Sequence, residues 1–188
     1  MTALRGRPAR GTGLSKDDII AAALALLDEE PAAGLTMRAL ASKLNVTPMS
    51  LYNHVADRAA LLRAVADRVY ADVLEDQNTS LDHLPEVRRL LLRYYDAVAR
   101  HPQLTLAIFS EPRAFAGVTE EITAHLTSVL ASLTQDPETW RDILIDHAHG
   151  SGLARISGAG GKKGAQNLQA QYAHALDSLL ARVHTSTQ

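Results

Sequence analysis

Residues 36–55 read TMRALASKLNVTPMSLYNHV, and the order of caps, turns and apolar side chains in this stretch decides the fold. Thr36 is placed to cap a short helix over 37–44, and Asn45 to close it in the left-handed backbone region that Asn tolerates better than most residues. Val46 and Thr47 make the turn. Thr47 then serves as an N-cap and Pro48 as a first helical residue, where the missing proline N–H costs nothing; this second short helix is expected to reach about His54. Leu40, Leu44, Val46, Leu51 and Val55 form one consistent buried set, and Ala41 is small where the two helices must approach. With Leu51 and Val55 inward, helical geometry turns Met49, Ser50, Tyr52 and Asn53 outward. A short helix held at a fixed angle with a polar free face is what a DNA major groove admits. The plainer alternative is two short helices in an ordinary bundle, but bundles rarely need two very short, separately capped helices joined so tightly.

The flanking sequence reads as further helices. Ser15, followed by Asp17 and Asp18 in the first turn, opens a helix to about Glu30 with Ile20, Ala23, Leu24 and Leu27 as its buried stripe, broken by Pro31 to Gly34. Asp57 caps another, whose stripe Leu61, Leu62, Val65, Ala66, Val69 and Val73 runs to about Asp76. Beyond a polar stretch, helices are expected from Pro85 to Arg100 or His101, a short one from Pro102, then 118–133 and 137–156, a Gly-rich linker over 157–164, and a last helix over 165–183. The chain is rich in Ala and Leu, holds only one Trp, five Tyr and two Phe, and nowhere alternates apolar and polar residues for long, so the fold class is all-α. The expected organisation is a flexible basic arm over 1–14, a helix-turn-helix domain over 15–60, and a C-terminal domain over 61–188.

Composition removes several function classes. The 188 residues carry 19 Lys+Arg against 21 Asp+Glu, a formal charge of −2, so any attraction to nucleic acid must be local. With no cysteine there are no disulfides, thiolate nucleophiles or Cys-based zinc sites. The longest apolar run, Ile19 to Leu27, is far below the roughly 20 residues that cross a bilayer. The arginines near the N-terminus are followed by no apolar signal region, which points to a soluble cytoplasmic protein without membrane association. His147 and His149 are two apart on a helix and point to different faces, unlike a metal-binding i, i+4 pair. The GGKKG run at 160–164 lacks the spacing of a phosphate loop, and no nucleophile–base arrangement stands out, so no enzyme, metal or cofactor is expected.

The stretch GLTMRALASKLNVTPMSLYNHVADRAALL (34–62) resembles the TetR family of transcriptional regulators. The features that carry the likeness are Leu51-Tyr52-x-His54-Val55 and the capped helix that follows, beginning at Arg58 and carrying Leu61-Leu62. The form of that motif and Leu92-Arg93-Tyr94 are similar to the tetracycline-repressor-like branch. The resemblance implies a role for each matching residue. Arg38 resembles a base-contacting arginine suited to guanine, while Pro48, Met49 and Asn53 face base edges, the apolar pair toward thymine methyls and Asn toward adenine. Thr36, Thr47, Ser50, Tyr52, His54 and Arg58 resemble a phosphate clamp that sets register without reading sequence. Arg5-Gly6-Arg7-Pro8 resembles a minor-groove arm, with Arg5 and Arg7 entering the groove; the alternative is a disordered solubilising tail. Two departures matter: Pro31 stands where many members place glycine, and the exposed face of 48–53 differs from that of the tetracycline repressor, so its operator does not carry over.

The resemblance also implies a C-terminal ligand-binding and dimerisation region. Tyr94, Tyr95, Phe109, Phe115 and Trp140 cluster in the sequence as an apolar, aromatic pocket lining would, with His125, Thr105 and Arg113 available to orient a ligand; each aromatic alone reads more readily as core, and the resemblance favours a pocket for the group. His101, before Pro102, matches a metal-drug ligand position of tetracycline repressors, but a histidine at a helix C-terminus is common for dipole reasons. Leu168, Tyr172, Leu176, Leu179, Leu180 and Val183, with the small run Ala148, Gly150, Ser151, Gly152 and Ala154, read as a dimer interface. A two-fold dimer sets its recognition helices about 34–36 Å apart and requires a palindromic site. The function expected is a homodimeric repressor on double-stranded DNA, released by a small-molecule effector. The alternatives are an architectural or partner-controlled DNA-binding protein without effector, and a helical enzyme or lipid-binding module.

Overall fold

The first four helices begin where the sequence supplies a side chain to hold their free N–H groups. In the computed structural model, which describes residues 13–29, 34–75, 82–157 and 161–185, Ser15 and Asp18 cap each other ahead of α1 (Lys16–Glu29): the Asp18 amide donates to Ser15 Oγ at 3.0 Å and the Ser15 amide to Asp18 Oδ2 at 3.1 Å. Thr36 Oγ1 accepts from the Ala39 amide at 3.1 Å to start α2 (Met37–Lys43). Thr47 Oγ1 does the same for the Ser50 amide at 3.2 Å, with Pro48 in the first turn of α3 (Pro48–Tyr52). Asp57 Oδ1 accepts from the Ala60 amide at 2.8 Å to open α4 (Arg58–Tyr70). Then follow α5 (His83–Arg100), α6 (Pro102–Phe109), α7 (Val118–Leu130), α8 (Pro137–Leu153) and α9 (Gly161–Thr185). Among the described residues there is no strand, and the protein is all-α, as its composition requires.

Several helices end earlier than their apolar stripes suggest. α4 tightens into a 3-10 turn over Ala71–Val73 instead of running to Asp76. Carbonyls of that turn and just beyond it are taken by arginines of α5, with Arg93 Nη1 donating to the Asp72 and Glu75 carbonyls at 2.8 and 2.7 Å, and Arg89 Nη1 to Glu75 at 2.7 Å. α8 passes into a 3-10 turn at Ala154–Ser157, and α9 starts at Gly161, inside the segment expected to be a linker. Residues 1–12 of the basic arm (including Arg5 and Arg7), Pro31 and residues 158–160 lie outside the described residues.

One continuous core joins the chain from Ile19 to Val183. α5 is its central pillar, with Leu90, Leu91, Tyr95 and Val98 at most 1 % exposed, and α4, α7, α8 and α9 pack around it. Much of the stripe expected at a dimer interface is spent here: Tyr172, Leu176, Leu180 and Val183 are buried within their own chain. Tyr172 stacks on Tyr95 with centroids 4.1 Å apart and donates its hydroxyl to the Leu91 carbonyl at 3.1 Å. Leu168 and Leu179 are only partly covered.

The small-residue run of α8 also works inward. A Cβ on Gly152 would lie 2.6 Å from Val98 Cγ1 and 3.3 Å from the Ala99 backbone nitrogen, so its bare backbone permits the close approach of α8 to α5; Gly150 faces open space. Gly152→Ala is expected to destabilise the protein by about 1–3 kcal/mol through overpacking, with Gly150→Ala neutral or slightly stabilising, as read by chemical denaturation.

Candidate nucleic-acid interface and the adjoining chamber

α2 and α3 meet through a tight turn. Asn45 takes the left-handed conformation (φ 54°), its amide donates to Ser42 at 3.1 Å, and the Val46 amide donates to Ala41 at 2.9 Å. Leu40, Ala41, Leu51 and Val55 are buried, so α3 is anchored from one side. Leu44 and Val46 are half-buried and packed against this core.

The other side of α3 is open. Met49 is 71 % and Tyr52 47 % exposed, and Pro48, Asn53 and His54 are exposed beside them. Ser50 is half-buried and shares a 3.0 Å hydroxyl–hydroxyl contact with Thr47. Arg38 stands exposed on α2 and has no ion-pair partner among the described residues. Thr36, Thr47 and Ser50 therefore hold backbone geometry and still sit at the helix starts, where amide N–H groups and a hydroxyl suit an anion.

Arg58 is different. Its Nε donates to the Leu35 carbonyl at 2.7 Å and its Nη1 lies 3.7 Å from Glu111, so the guanidinium expected at a phosphate is committed inside the chain. Glu111 also accepts from Arg113 Nε at 3.2 Å, while Arg113 Nη1 reaches Asp57 Oδ2 at 3.1 Å. The Ala60 amide and then the Arg113 guanidinium hold the Asp57 carboxyl below the usual carboxylate range. Arg63 Nη2 donates to the Arg113 carbonyl at 3.2 Å. Further along α4, Asp67 Oδ1 accepts from the Val118 amide at 3.0 Å. That approach needs Gly117, whose φ of +65° and missing side chain leave room for a carboxylate that a Cβ would meet at 2.6 Å. The segment 111–118 thus ties the start of α4 to the body of the protein.

The same segment lines a chamber. A cavity of ≈ 390 Å³ runs between α5, α7 and α8, with a ≈ 30 Å³ lobe reaching toward α4 and α6; Tyr94, Phe115, Thr119 and His149 border both. Tyr94 Oη lies 2.6 Å from His149 Nε2, and Phe109 meets the His149 ring edge-on at 4.8 Å. Burial lowers the His149 pKa and pushes that of the Tyr94 phenol far up, so both are uncharged at neutral pH. In the lobe, the Tyr70 and Thr105 hydroxyls are 2.9 Å apart, and burial pushes the Tyr70 phenol up to about 12.

Of the aromatic residues expected to line a pocket, Tyr94, Phe109 and Phe115 come together here and the others do not. Tyr95 stacks on Tyr172, His125 Nε2 sits 3.2 Å from Glu86 on α5, and Trp140 packs partly buried against the core. Arg113 serves the salt-bridge network instead of the chamber. His101 pairs with Asp28 at 3.3 Å, and among the described residues no cluster of three or more His, Asp or Glu is arranged to hold a metal ion. Sequence reasoning missed Arg141 and Ile145 and set His149 aside only as a metal ligand, leaving a ligand contact by a single histidine open; the i, i+4, i+8 spacing of the three places them on one face of α8. No described helix is long and apolar enough to cross a membrane.

Comparison with known proteins agrees with this arrangement. Residues 19–65, from α1 into α4, match the family of bacterial regulatory proteins, tetR family. The tetracycline repressor protein class D of Escherichia coli is 36 % identical over 97 residues, covering 47 % of this chain and 44 % of the repressor, so the chain spans less than half the length of that relative. The crystal structure of Mycobacterium smegmatis BioQ superposes with a TM-score of 0.75 at 28 % identity, covering 93 % of this chain and 99 % of that one. A BioQ structure with its double-stranded DNA operator gives a TM-score of 0.70 at 26 % identity over 92 % of this chain and 99 % of that one. The motif over α1 to α4 and a fold shared along nearly the whole chain agree: residues 19–65 form a domain of the tetR family of bacterial regulatory proteins, carried on a fold similar to that of BioQ.

Proposed function

We propose that the chain is a homodimeric transcriptional repressor that reads a palindromic DNA duplex with α3 and is released by a small-molecule effector bound in the chamber beside α5. The observation that carries the DNA reading is the two-sidedness of α3, with Leu51 wholly buried and Met49, two residues earlier on the opposite side of the helix, 71 % exposed. Such a helix enters a major groove without giving up any packing. In this reading residues 15–60 form the DNA-binding head and 61–188 the effector and dimer region. Met49 and Pro48 meet thymine methyls, Asn53 an adenine edge and Arg38 a guanine, with Thr36, Thr47, Ser50, Tyr52 and His54 along the phosphates. Arg58 acts from beneath, holding Leu35 at the entry to α2.

Release follows from the ties of α4. An effector that shifts Phe115 or Thr119 moves a segment bonded to Asp57, Arg58, Arg63 and Asp67. It must favour the DNA-incompetent arrangement by typically 1–3 kcal/mol. The second copy docks on what α8 and α9 leave uncovered, including Ile143, Leu168 and Leu179.

Selection of bound duplexes from a random pool tests the proposal. The expected product has two-fold symmetric half-sites with centres about one DNA turn apart, and a pool without enrichment or with a single asymmetric site contradicts it. On the selected duplex, Arg38→Ala is expected to cost about 1–3 kcal/mol and to relax preference at one base pair per half-site. Arg58→Ala is expected to weaken all sequences alike and to lower the melting temperature, because it frees the Leu35 carbonyl. Identical behaviour of the two variants contradicts the division.

A further inference from the structure

The hydrogen-bonding state of the chamber walls narrows the effector, on the reading above that an effector enters there. We propose that it is an uncharged, planar aromatic compound of two or three fused rings that donates a hydroxyl hydrogen to the chamber wall. The volume, ≈ 390 Å³, lies in the range of small-molecule sites, and Tyr94, Phe115, Ile122 and Ile145 offer it flat or branched apolar surface.

The polar groups of the wall are short of donor partners, not of acceptors. Thr119 Oγ1 already donates to the Ala116 carbonyl at 3.0 Å, and Thr123 Oγ1 to the Thr119 carbonyl at 2.8 Å. A hydroxyl has one hydrogen and two lone pairs, so each threonine oxygen has only acceptor capacity left. The Tyr94 hydroxyl and His149 Nε2 share one hydrogen at 2.6 Å, and whichever of them donates it the phenol oxygen keeps a lone pair for a ligand hydroxyl. A ligand hydroxyl satisfies these oxygens; a ligand with acceptors alone leaves them unpaired in a desolvated site.

Charge on the ligand finds no complement. The only ionic groups of the wall, Arg141 and Asp142, neutralise each other through a 2.7 Å Nε–Oδ1 bond, and Arg141 Nη1 is directed at Thr127 Oγ1 at 3.4 Å. A carboxylate or an ammonium on the ligand has to compete with that pair for its counter-charge. Burial also holds His149 neutral, so it supplies no counter-charge.

Calorimetric titration of the full-length protein at neutral pH with 2-naphthol, 2-methoxynaphthalene and 2-naphthoate tests this. The first is expected to bind at least tenfold tighter than either of the others. Thr123→Val, with its fold checked by thermal melting, is expected to narrow the gap between 2-naphthol and 2-methoxynaphthalene. Ile145→Trp is expected to abolish binding of all three by filling the chamber. Equal or tighter binding of 2-naphthoate, or of 2-methoxynaphthalene, overturns the ligand class and leaves the effector chamber standing if Ile145→Trp blocks that binding. Absence of binding by all three probes, or binding that survives Ile145→Trp, overturns the class and the chamber together.

Discussion

A full-length Met49→Asp variant is expected to melt with the parent protein and to lose roughly a hundredfold or more in affinity for the selected duplex, about 2.8 kcal/mol. Met49 is 71 % exposed in the first turn of α3, so its removal sacrifices almost no packing. A carboxylate at that place faces a surface of phosphates, and like charges brought together in an interface cost several kcal/mol. Each dimer carries the change twice. Met49→Ala, which removes only an apolar contact, is expected to lose far less. Melting curves and fluorescence anisotropy on the same samples check both halves: a Met49→Asp protein that is folded and still binds normally means α3 does not enter the groove.

Leu51→Ala tests the inner side of the same helix. The expected cost is about 2–5 kcal/mol in chemical denaturation, the range for a fully buried leucine, since Leu51 is 0 % exposed. α3 has five residues, too few to persist as a helix without tertiary contacts. What holds it is Leu51 beneath, the Thr47 cap in front, and the Leu51 carbonyl, which receives the His54 and Val55 amides at 2.9 and 3.0 Å. The variant is therefore expected to lose DNA affinity although Met49, Tyr52 and Asn53 are all still present. A cost below about 1 kcal/mol, outside that range, means that the anchor lies elsewhere.

The N-terminal half was legible because its structure is set locally. Thr36, Asn45, Thr47, Pro48 and Asp57 act on residues within four positions of themselves, and each does what its side chain suggests. The face of α3 was legible for the same reason, since Leu51 and Val55 inward leave Met49 and Tyr52 outward. What the sequence hid is long-range. The bond from Arg58 to Leu35, and the pairing of Arg113 with Asp57, join residues 23 and 56 positions apart, and no spacing rule connects them. The aromatic cluster misled because Tyr94 and Tyr95 are neighbours on α5 but face opposite sides, one toward His149 and the other toward Tyr172. The stripe on α9 reads as an outer surface, yet Tyr172, Leu176, Leu180 and Val183 are buried because α5 and α8 already cover them, which leaves Leu168 and Leu179 partly open.

The direct test of the central claim, that the open side of α3 meets DNA while its closed side holds it in place, is anisotropy titration of the selected duplex across a salt series with the parent chain and Met49→Asp side by side. The account predicts that the parent binds with log K falling linearly in log salt, and that Met49→Asp, equally folded, scarcely binds at any salt. Parallel curves of equal affinity for the two proteins contradict it.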